Sequence, residues 1–526
     1  MAEELGSVTR SQWEYAGFYI ETLVALVVAW SFFIFIYGNK RRRLLLPPGP
    51  FPLPVIGNLH LLGELPHQAL TALSLKYGPL MSLRLGSSAL TLVISSGDIA
   101  KEFLTTHDRL FAGRPSSAAS KYFTYNSSDV AFAPYGPYWR QMRKVCVLQL
   151  LSSRRIDSFR FIREEEVSAM ILSIINSNSE YPQEDSRPLN ISKTVSALTN
   201  AIICKMAFGR KYSDEDVIGS TGFDSLIKEI LLLAGSFNIG DYIPYLAWMD
   251  HLRGLHRRLK NVHNTQDQFV EKVIDDHEVN AHNDPNVPRD LVDVLLAASA
   301  EKDMELQITR DNIKAVLFDM LVAGMDTSST SIEWTMSEAL RNPPVLQKLQ
   351  DELERVVGME RMVRESDLPR LVYLQAVVKE TLRLHPAGPF AIHSSLEDCT
   401  VLGYEIPRNT LIFFNLWAIG RNPKSWGEDV QSFKPERFLS EAEAGFIHKT
   451  HENFEWLPFG AGRRGCPGQQ LATLVIELAV AQLLHCFNWR LPLNGQELDM
   501  TETFNGLTLP RAHELLALPT RRLPVL

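Results

Sequence analysis

Two spacings of apolar residues recur along the chain and predict its secondary structure. Apolar positions three and four residues apart are typical of helices. They occur in seven stretches, namely residues 95–106, 136–150, 160–176, 311–341, 342–357, 370–384 and 469–485. Short apolar runs bounded by turn residues predict strands at residues 80–85, 89–94 and 400–403. The pattern therefore predicts a mainly α fold, with one large helical domain and a minor β-sheet region.

The longest apolar stretch lies at the N-terminus. Residues 16–37 contain Glu21 as their only charged side chain, and about 20 apolar residues suffice for a transmembrane helix. Glu3 and Glu4 precede the stretch and no small-residue cleavage site follows it, which disfavours a cleaved signal peptide. The basic cluster at residues 40–43 comes after the stretch, so the positive-inside rule predicts that the rest of the chain faces the cytosol.

A proline-rich segment follows this predicted anchor. Five prolines between Pro47 and Pro54 prevent a helix and favour a stiff, extended spacer. We therefore divide the chain into a luminal N-terminus and transmembrane anchor (1–38), a basic and proline-rich hinge (39–58), and a large domain (59–526).

Composition excludes several classes of protein. With 45% apolar and 22% charged residues, the chain is neither disordered nor fibrous. Its net charge of −8, from 53 basic and 61 acidic residues, argues against a nucleic-acid partner. Five cysteines without a CxxC pair argue against a disulfide framework or a structural zinc site. The chain has no GxGxxG after a strand and no P-loop, so we predict that it binds no nucleotide itself.

The stretch that best indicates chemistry is FGAGRRGCPG, from Phe459 to Gly468. Its glycines allow the backbone to turn tightly and to approach a flat cofactor closely. Cys466 lies where a predicted helix begins, so free N–H groups and the positive end of the helix dipole favour its thiolate. A thiolate in such a loop is suited to be an axial ligand of haem iron. An inert buried thiol is the alternative for Cys466, and we keep that interpretation for the other four cysteines.

This stretch resembles the haem-binding signature of the cytochrome P450 monooxygenases. Four further segments are similar to motifs of that family: WRQMR at 139–143, AGMDTS at 323–328, ETLR at 380–383 and PERF at 435–438. The apolar anchor and proline hinge resemble the microsomal form. The sequences PFGAGRRGCPG and AGMDTSS resemble the large plant clan that makes specialised metabolites.

The resemblance implies haem b, with iron held by the axial thiolate of Cys466 as its metal ligand. It implies that Asp326 and Thr327 relay protons and that Gly324 leaves room for dioxygen. The implied cofactor-binding residues are Cys466, Trp139, Arg143, Arg464, His393, Phe459 and Gly324. His393 occupies a position where the family often has an arginine that reaches a haem propionate. Glu380, Arg383 and Arg437 are implied to form a buried structural ion-pair cluster.

Position relative to these motifs also gives candidates for a substrate pocket, which are Phe318, Leu321, Val322, Ala323, Phe390, Ile392, Phe504 and Leu507. The implied partners are an NADPH-dependent haemoprotein reductase, O2, a small apolar substrate and the membrane. The implied location is the endoplasmic reticulum membrane, with a single span and the haem domain in the cytosol.

The function that follows is hydroxylation of a small apolar plant metabolite. A terpenoid is preferred, because the pocket candidates are apolar, and a phenylpropanoid or flavonoid is the alternative. A haem-thiolate isomerase or dehydratase would have no use for Asp326 and Thr327. The alternative of another class is a non-catalytic haem-binding membrane protein.

Overall fold

Helices form most of the molecule. The computed structural model describes residues 44–87, 89–179, 188–211, 223–279, 289–301, 306–439, 454–492 and 497–524, together with Glu21, Thr22 and Val27. The α-helices are α1 (Pro66–Tyr77), α2 (Gly97–Lys101), α3 (Ala118–Phe123), α4 (Pro137–Val145), α5 (Ser153–Ser158), α6 (Arg160–Ser179), α7 (Ile191–Phe208), α8 (Phe223–Ala234), α9 (Ile239–Tyr242), α10 (Trp248–Leu252), α11 (Leu255–Val279), α12 (Leu291–Ala300), α13 (Arg310–Arg341), α14 (Pro343–Val357), α15 (Val372–Leu384), α16 (Leu416–Ile419), α17 (Pro423–Trp426) and α18 (Gln469–Cys486).

The strands form small sheets at the edge of the helical body. They are β1 (Leu80–Leu85), β2 (Ala89–Ile94), β3 (Leu189–Asn190), β4 (Phe390–Ser394), β5 (Cys399–Val401), β6 (Tyr404–Ile406), β7 (Leu411–Asn415), β8 (Phe487–Arg490) and β9 (Leu516–Arg521). The largest sheet has the order β1-β2-β7-β4, in which β2 and β7 are parallel and the outer pairs are antiparallel. The mainly α fold with minor sheets is confirmed.

Helix α13 runs through the centre of the domain. Thr309 and Asn312 form a reciprocal capping box at its start, and Asn342 ends it just before a pair of prolines. The helix packs against α7, α15 and α18. Its side chains are buried from residue 328 to residue 340, so it forms the core of the fold as well as a wall of the site described below.

Several predicted elements differ in detail from the observed ones. The predicted helices at 95–106 and 136–150 are α-helical only in their first parts and continue as π-helical turns at Glu102–Thr106 and Cys146–Leu150. The predicted strand at 400–403 is a hairpin of β5 and β6, since Leu402 and Gly403 form its turn with positive φ.

The proline-rich segment packs against the domain and is not a free spacer where the structure describes it. The main-chain oxygens of Pro47 and Pro48 accept hydrogen bonds from the hydroxyl and the N–H of Ser82 in β1, at 2.7 and 2.8 Å. Asn58 bonds the main chain of Arg84 in the same strand. Residues 47–58 therefore add to the edge of the large sheet.

The predicted N-terminal anchor lies outside the described residues, apart from Glu21, Thr22 and Val27. In the part of the chain that is described, one helix, α18, is long and apolar enough to cross a membrane. About 72% of that helix is buried inside the domain, so its apolar character is explained by the protein core.

Candidate functional site

The cysteine loop lies directly before α18 and is held by its own backbone. The N–H of Cys466 donates to the carbonyl of Phe459 at 2.9 Å. Gly462 has a φ of +67°, and a Cβ there would lie 2.7 Å from the carbonyl oxygen of Leu104. Glycine is therefore required at this turn, where the loop packs against the turn that follows α2. The result is a fixed loop that presents the sulfur of Cys466 at the floor of an internal cavity.

The Cys466 side chain is exposed to this cavity although protein surrounds it. Burial raises the pKa of its thiol, whereas the N–H groups of Gly468 and Gln469 and the charge of Arg143 lower it in part. The N–H groups at the start of α18 therefore favour the thiolate, as expected from the sequence, but burial outweighs them. A metal ion deprotonates a coordinating thiol directly, so iron would supply the missing stabilisation.

The cavity above Cys466 has a volume of about 490 Å³. Most of the accessible surface that lines it is apolar. It brings together twelve of the residues singled out in the sequence: Cys466, Phe459, Trp139, Arg143, Arg464, His393, Gly324, Thr327, Ala323, Phe390, Ile392 and Leu507. These residues come from α4, α13, β4, the cysteine loop and the C-terminal loop, so the fold converges on this one site.

Helix α13 forms the wall that carries the predicted oxygen motif. The hydroxyl of Thr327 donates to the carbonyl of Ala323 at 2.5 Å, one turn back, as a helical threonine can. A Cβ on Gly324 would lie 2.8 Å from Cδ1 of Ile203, so glycine allows α13 and α7 to approach. Both Thr327 and Gly324 border the cavity.

Asp326 points away from the cavity, towards the C-terminal loop. Its Oδ2 accepts a hydrogen bond of 2.6 Å from the hydroxyl of Thr508. Burial raises the pKa of Asp326, and this hydrogen bond lowers it only in part. The carboxyl group therefore keeps its proton to higher pH than an exposed aspartic acid does.

Basic side chains gather at another part of the cavity. Arg464 donates to the carbonyls of Ala112 and Ala133, at 2.8 and 2.6 Å, and lies over the ring of Trp139. Arg143 donates to the carbonyl of Gly465 at 2.6 Å. These acceptors are neutral, so they leave the two positive charges available for an anion.

The sequence analysis missed a third arginine, Arg114, which also lines the cavity. It donates to the carbonyls of Ala131 and Ile392. Burial and the neighbouring arginine charges together lower the pKa of Arg114 to about 10 and that of Arg464 to about 9, although the charge of Asp129 opposes both shifts. Such crowding of like charges fits a ligand with two carboxylates, as haem b has, because Arg pairs well with carboxylates.

His393 lies beside these arginines in β4. One ring nitrogen, Nδ1, is 2.8 Å from the carbonyl oxygen of Phe111. Burial lowers the pKa of His393 well below its usual value, and the charges of Arg114 and Arg464 add to this effect. The imidazole is therefore neutral in the protein as described, and its position at the cavity is compatible with a propionate neighbour.

Glu380, Arg383 and Arg437 form the ion-pair cluster that the family resemblance implies. Nε and Nη2 of Arg383 donate to the two carboxylate oxygens of Glu380 at 2.7 and 2.8 Å. Arg437 approaches the same carboxylate at 3.4 Å. Arg383 also donates to the carbonyls of Gly420 and Val430. The cluster thus joins α15 to the segment that leads to the cysteine loop.

Four pocket candidates do not line the cavity in the described part of the chain, and the expectation for them is corrected. They are Phe318, Leu321, Val322 and Phe504. Phe318 and Leu321 belong to the buried core and Val322 packs against it. Phe504 borders a separate surface cleft next to Gly235 and Asn505. On α13 the cavity is instead bordered by Asp319, Met320, Ala323, Gly324, Thr327, Ser328 and Ser331.

Comparison with known proteins agrees with this site. The family model for cytochrome P450 matches residues 47–517. Cytochrome P450 750A1 from Pinus taeda is 46% identical, over 95% of this chain and 97% of that protein. Cytochrome P450 71AP13 from Prunus mume is 43% identical, over 93% of each protein.

The fold is also similar to that of a solved relative. A zebra fish cytochrome P450, in a structure with abiraterone, superposes with a TM-score of 0.72 at 27% identity, over 88% of this chain and all of that one. The chain therefore belongs to the cytochrome P450 family and is a haem-thiolate monooxygenase, which uses haem b on a cysteine thiolate and receives electrons from NADPH through a reductase.

Proposed function

We propose that Cys466 is the axial ligand and that the described cavity holds both haem b and substrate. Haem bound on this sulfur supplies the iron chemistry that activates dioxygen. Arg114, Arg143 and Arg464 would hold the propionates, with Trp139 packed against Arg464. The support is the shared cavity, in which the sulfur and the cationic groups are both accessible.

Thr327 and Asp326 have different tasks in this proposal. Thr327 borders the cavity, and its hydroxyl would pass a proton inward from Oγ1 and regain one from Asp326 through water. Asp326 is a proton reservoir behind it, because burial favours the protonated carboxyl. Its hydrogen bond to Thr508 fixes that reservoir next to the loop that carries Leu507.

The proposed reaction is hydroxylation of a small apolar plant metabolite, and the proposed substrate class is terpenoid. The observation that carries it is the apolar lining between Ala323, Phe390, Ile392 and Leu507. Apolar burial stabilises a hydrocarbon skeleton by about 25 cal/mol per Å². The three arginines are assigned to the propionates, so they would not recruit an acidic substrate.

A spectral titration tests this substrate class. Purified holoenzyme would be titrated with olefinic terpenes and sparsely oxygenated terpenoids, and in parallel with flavonoids and aromatic acids. We expect the low- to high-spin shift of the iron, followed by turnover with reductase, for members of the terpenoid set. A shift and turnover confined to the phenolic compounds would overturn the terpenoid assignment and leave the monooxygenase unaffected.

We also propose that the enzyme is a single-pass protein of the endoplasmic reticulum membrane, with its haem domain and its NADPH-dependent haemoprotein reductase on the cytosolic side. The apolar residues 16–37 and the basic cluster at 40–43 support this topology. The proposed division is an anchor (1–38), a hinge (39–58) and a haem domain (59–526). Deletion of residues 1–38 should weaken sedimentation with microsomes and preserve haem incorporation. Loss of all haem on deletion would contradict a separable anchor.

A further inference from the structure

One short segment, Asp129–Ala133, connects several groups at the cationic part of the cavity. The carbonyl of Val130 accepts from Nε1 of Trp139 at 3.0 Å and from Arg464 at 3.2 Å. The carbonyl of Ala133 accepts from Arg464 at 2.6 Å, and that of Ala131 accepts from Arg114 at 3.0 Å. The position of this segment therefore sets the direction of both guanidinium groups and of the indole.

Two aspartates hold the other side of the same segment through its N–H groups. Oδ2 of Asp319, on α13, accepts from the N–H groups of Val130 and Ala131 at 2.7 and 3.2 Å. The carboxylate of Asp129 accepts from the N–H of Phe132 at 3.0 and 3.1 Å. Asp319 precedes Thr327 by eight residues, about two helical turns, so both lie on the cavity side of α13.

The carboxyl groups of Asp129 and Asp319 are adjacent and buried, and each affects the pKa of the other. Two such groups do not both ionise readily, so one of them keeps its proton to higher pH. Burial raises the pKa of Asp319 well above its usual value, and the charge of Asp129 and its hydrogen bond raise it further. Burial also raises the pKa of Asp129, but the hydrogen bond from Asp319 lowers it in part. Of the two carboxyl groups, that of Asp319 therefore keeps its proton to higher pH.

Four other titratable groups lie around Asp129 and Asp319 in the described part of the chain: a tyrosine, a cysteine and two arginines. Tyr138 on α4 and Cys146 in the following π-helical turn are neutral in their ordinary state, and burial raises the pKa of both. The positive charges near Asp129 are those of Arg114 and Arg464. When pH rises enough for both groups to ionise, the two adjacent carboxylates repel each other, and this repulsion opposes the N–H hydrogen bonds that hold the segment to α13.

We propose that Asp319 is a positioning residue for haem, because its carboxyl group accepts two N–H hydrogen bonds from the Asp129–Ala133 segment and thereby directs Arg114, Trp139 and Arg464 towards the propionates. The proposal rests on the proposed role of those arginines. It assigns a role to an acidic cavity residue that the proposed proton relay does not use. It also predicts that haem retention weakens at alkaline pH.

The test is the rate of haem transfer from each holoenzyme to excess apomyoglobin, at neutral and at alkaline pH. Asp319→Asn keeps an oxygen that accepts from the segment and provides an amide N–H for Asp129, so it mimics the protonated acid. We expect the parent to lose haem faster at alkaline than at neutral pH. Asp319→Asn should lose haem at the parent's neutral rate at both pH values. Asp319→Leu removes both roles and should lose haem about tenfold faster at either pH.

Asp311→Asn, the same change at an exposed position of α13, is the matched control and should retain the parent profile. The proposal is overturned if Asp319→Leu retains haem like the parent, or if Asp319→Asn shows the parent's alkaline acceleration. Arg464→Gln separates this failure from a failure of the proposed function. If Arg464→Gln loses haem faster than the parent while Asp319→Leu does not, only the positioning role of Asp319 is refuted. If both variants lose haem at the parent rate, the assignment of Arg464 to a propionate is refuted as well.

Discussion

Replacing Glu380 with Gln probes the ion-pair cluster that connects α15 to the segment before the cysteine loop. Glu380 and Arg383 are fully buried as a pair, so neither charge can return to water when the other is lost. Besides Arg383, the carboxylate accepts from the N–H of Lys434 at 2.9 Å. A glutamine keeps one acceptor oxygen but directs an amide N–H group at the guanidinium donors. Breaking a buried pair in this way costs about 3–5 kcal/mol.

Glu436→Gln is the matched control, because the same chemical change falls on an exposed carboxylate of the PERF segment. Glu436 pairs with Lys348 at 2.7 Å, and their side chains are 46% and 58% exposed. Such surface pairs contribute about 0–1 kcal/mol. The assay is equilibrium unfolding of the holoenzyme in urea, followed by circular dichroism and by the Soret band, with equal slopes required for the comparison.

We expect the free energy of unfolding to fall by about 3–5 kcal/mol in Glu380→Gln and by no more than about 1 kcal/mol in Glu436→Gln. Because a domain is typically stable by only about 5–15 kcal/mol, the first variant should also accumulate less holoenzyme. Equal stabilities for the two variants would refute the argument that burial makes the Glu380 pair hard to break.

Two further predictions concern turnover. Thr327→Ala should bind haem and substrate like the parent but release more peroxide per NADPH oxidised, because the hydroxyl at the cavity is lost. Thr327→Ser should restore the coupling of NADPH oxidation to product formation. Parent-level coupling in the alanine variant would exclude Thr327 from proton delivery. Phe390→Ala should change the distribution of oxidised products more than Phe504→Ala does, because Phe390 lines the cavity and Phe504 packs edge-on against Phe390 from outside the cavity. Product analysis with the reverse result would contradict the assigned pocket.

Helix α13 illustrates what the sequence can and cannot predict. Its extent was predictable to within one residue, since the apolar pattern is long and the following prolines stop it. The face that borders the cavity was not predictable. Apolar residues surround the whole helix at this point, so the pattern does not show which side faces the cavity. The residues that border the cavity, such as Met320, Ala323 and Thr327, recur every three or four positions. Phe318, Leu321 and Val322 do not follow this spacing and pack in the core.

The arginines of the cavity also show that residues in a motif can be predicted from the sequence, whereas their spatial neighbours cannot. Arg143 and Arg464 belong to recognisable motifs, and the structure places both at the cavity. Arg114 lies between Gly113 and Pro115, in an irregular stretch without hydrophobic periodicity. The available signal was an arginine between a glycine, which permits unusual backbone conformations, and a proline, which restricts them. The partners of Arg114, at Ala131 and Ile392, are distant in sequence and could only be known from the fold.

The most direct measurement for the haem-thiolate site is the spectrum of the ferrous–CO complex of Cys466→Ser. Cys399→Ser, which changes a partly buried cysteine in β5, serves as the control. We predict that Cys399→Ser keeps the red-shifted Soret band of a thiolate-bound haem, and that Cys466→Ser loses it because serine supplies no thiolate. A red-shifted band retained in Cys466→Ser would show that another residue binds the iron and would contradict the assigned site.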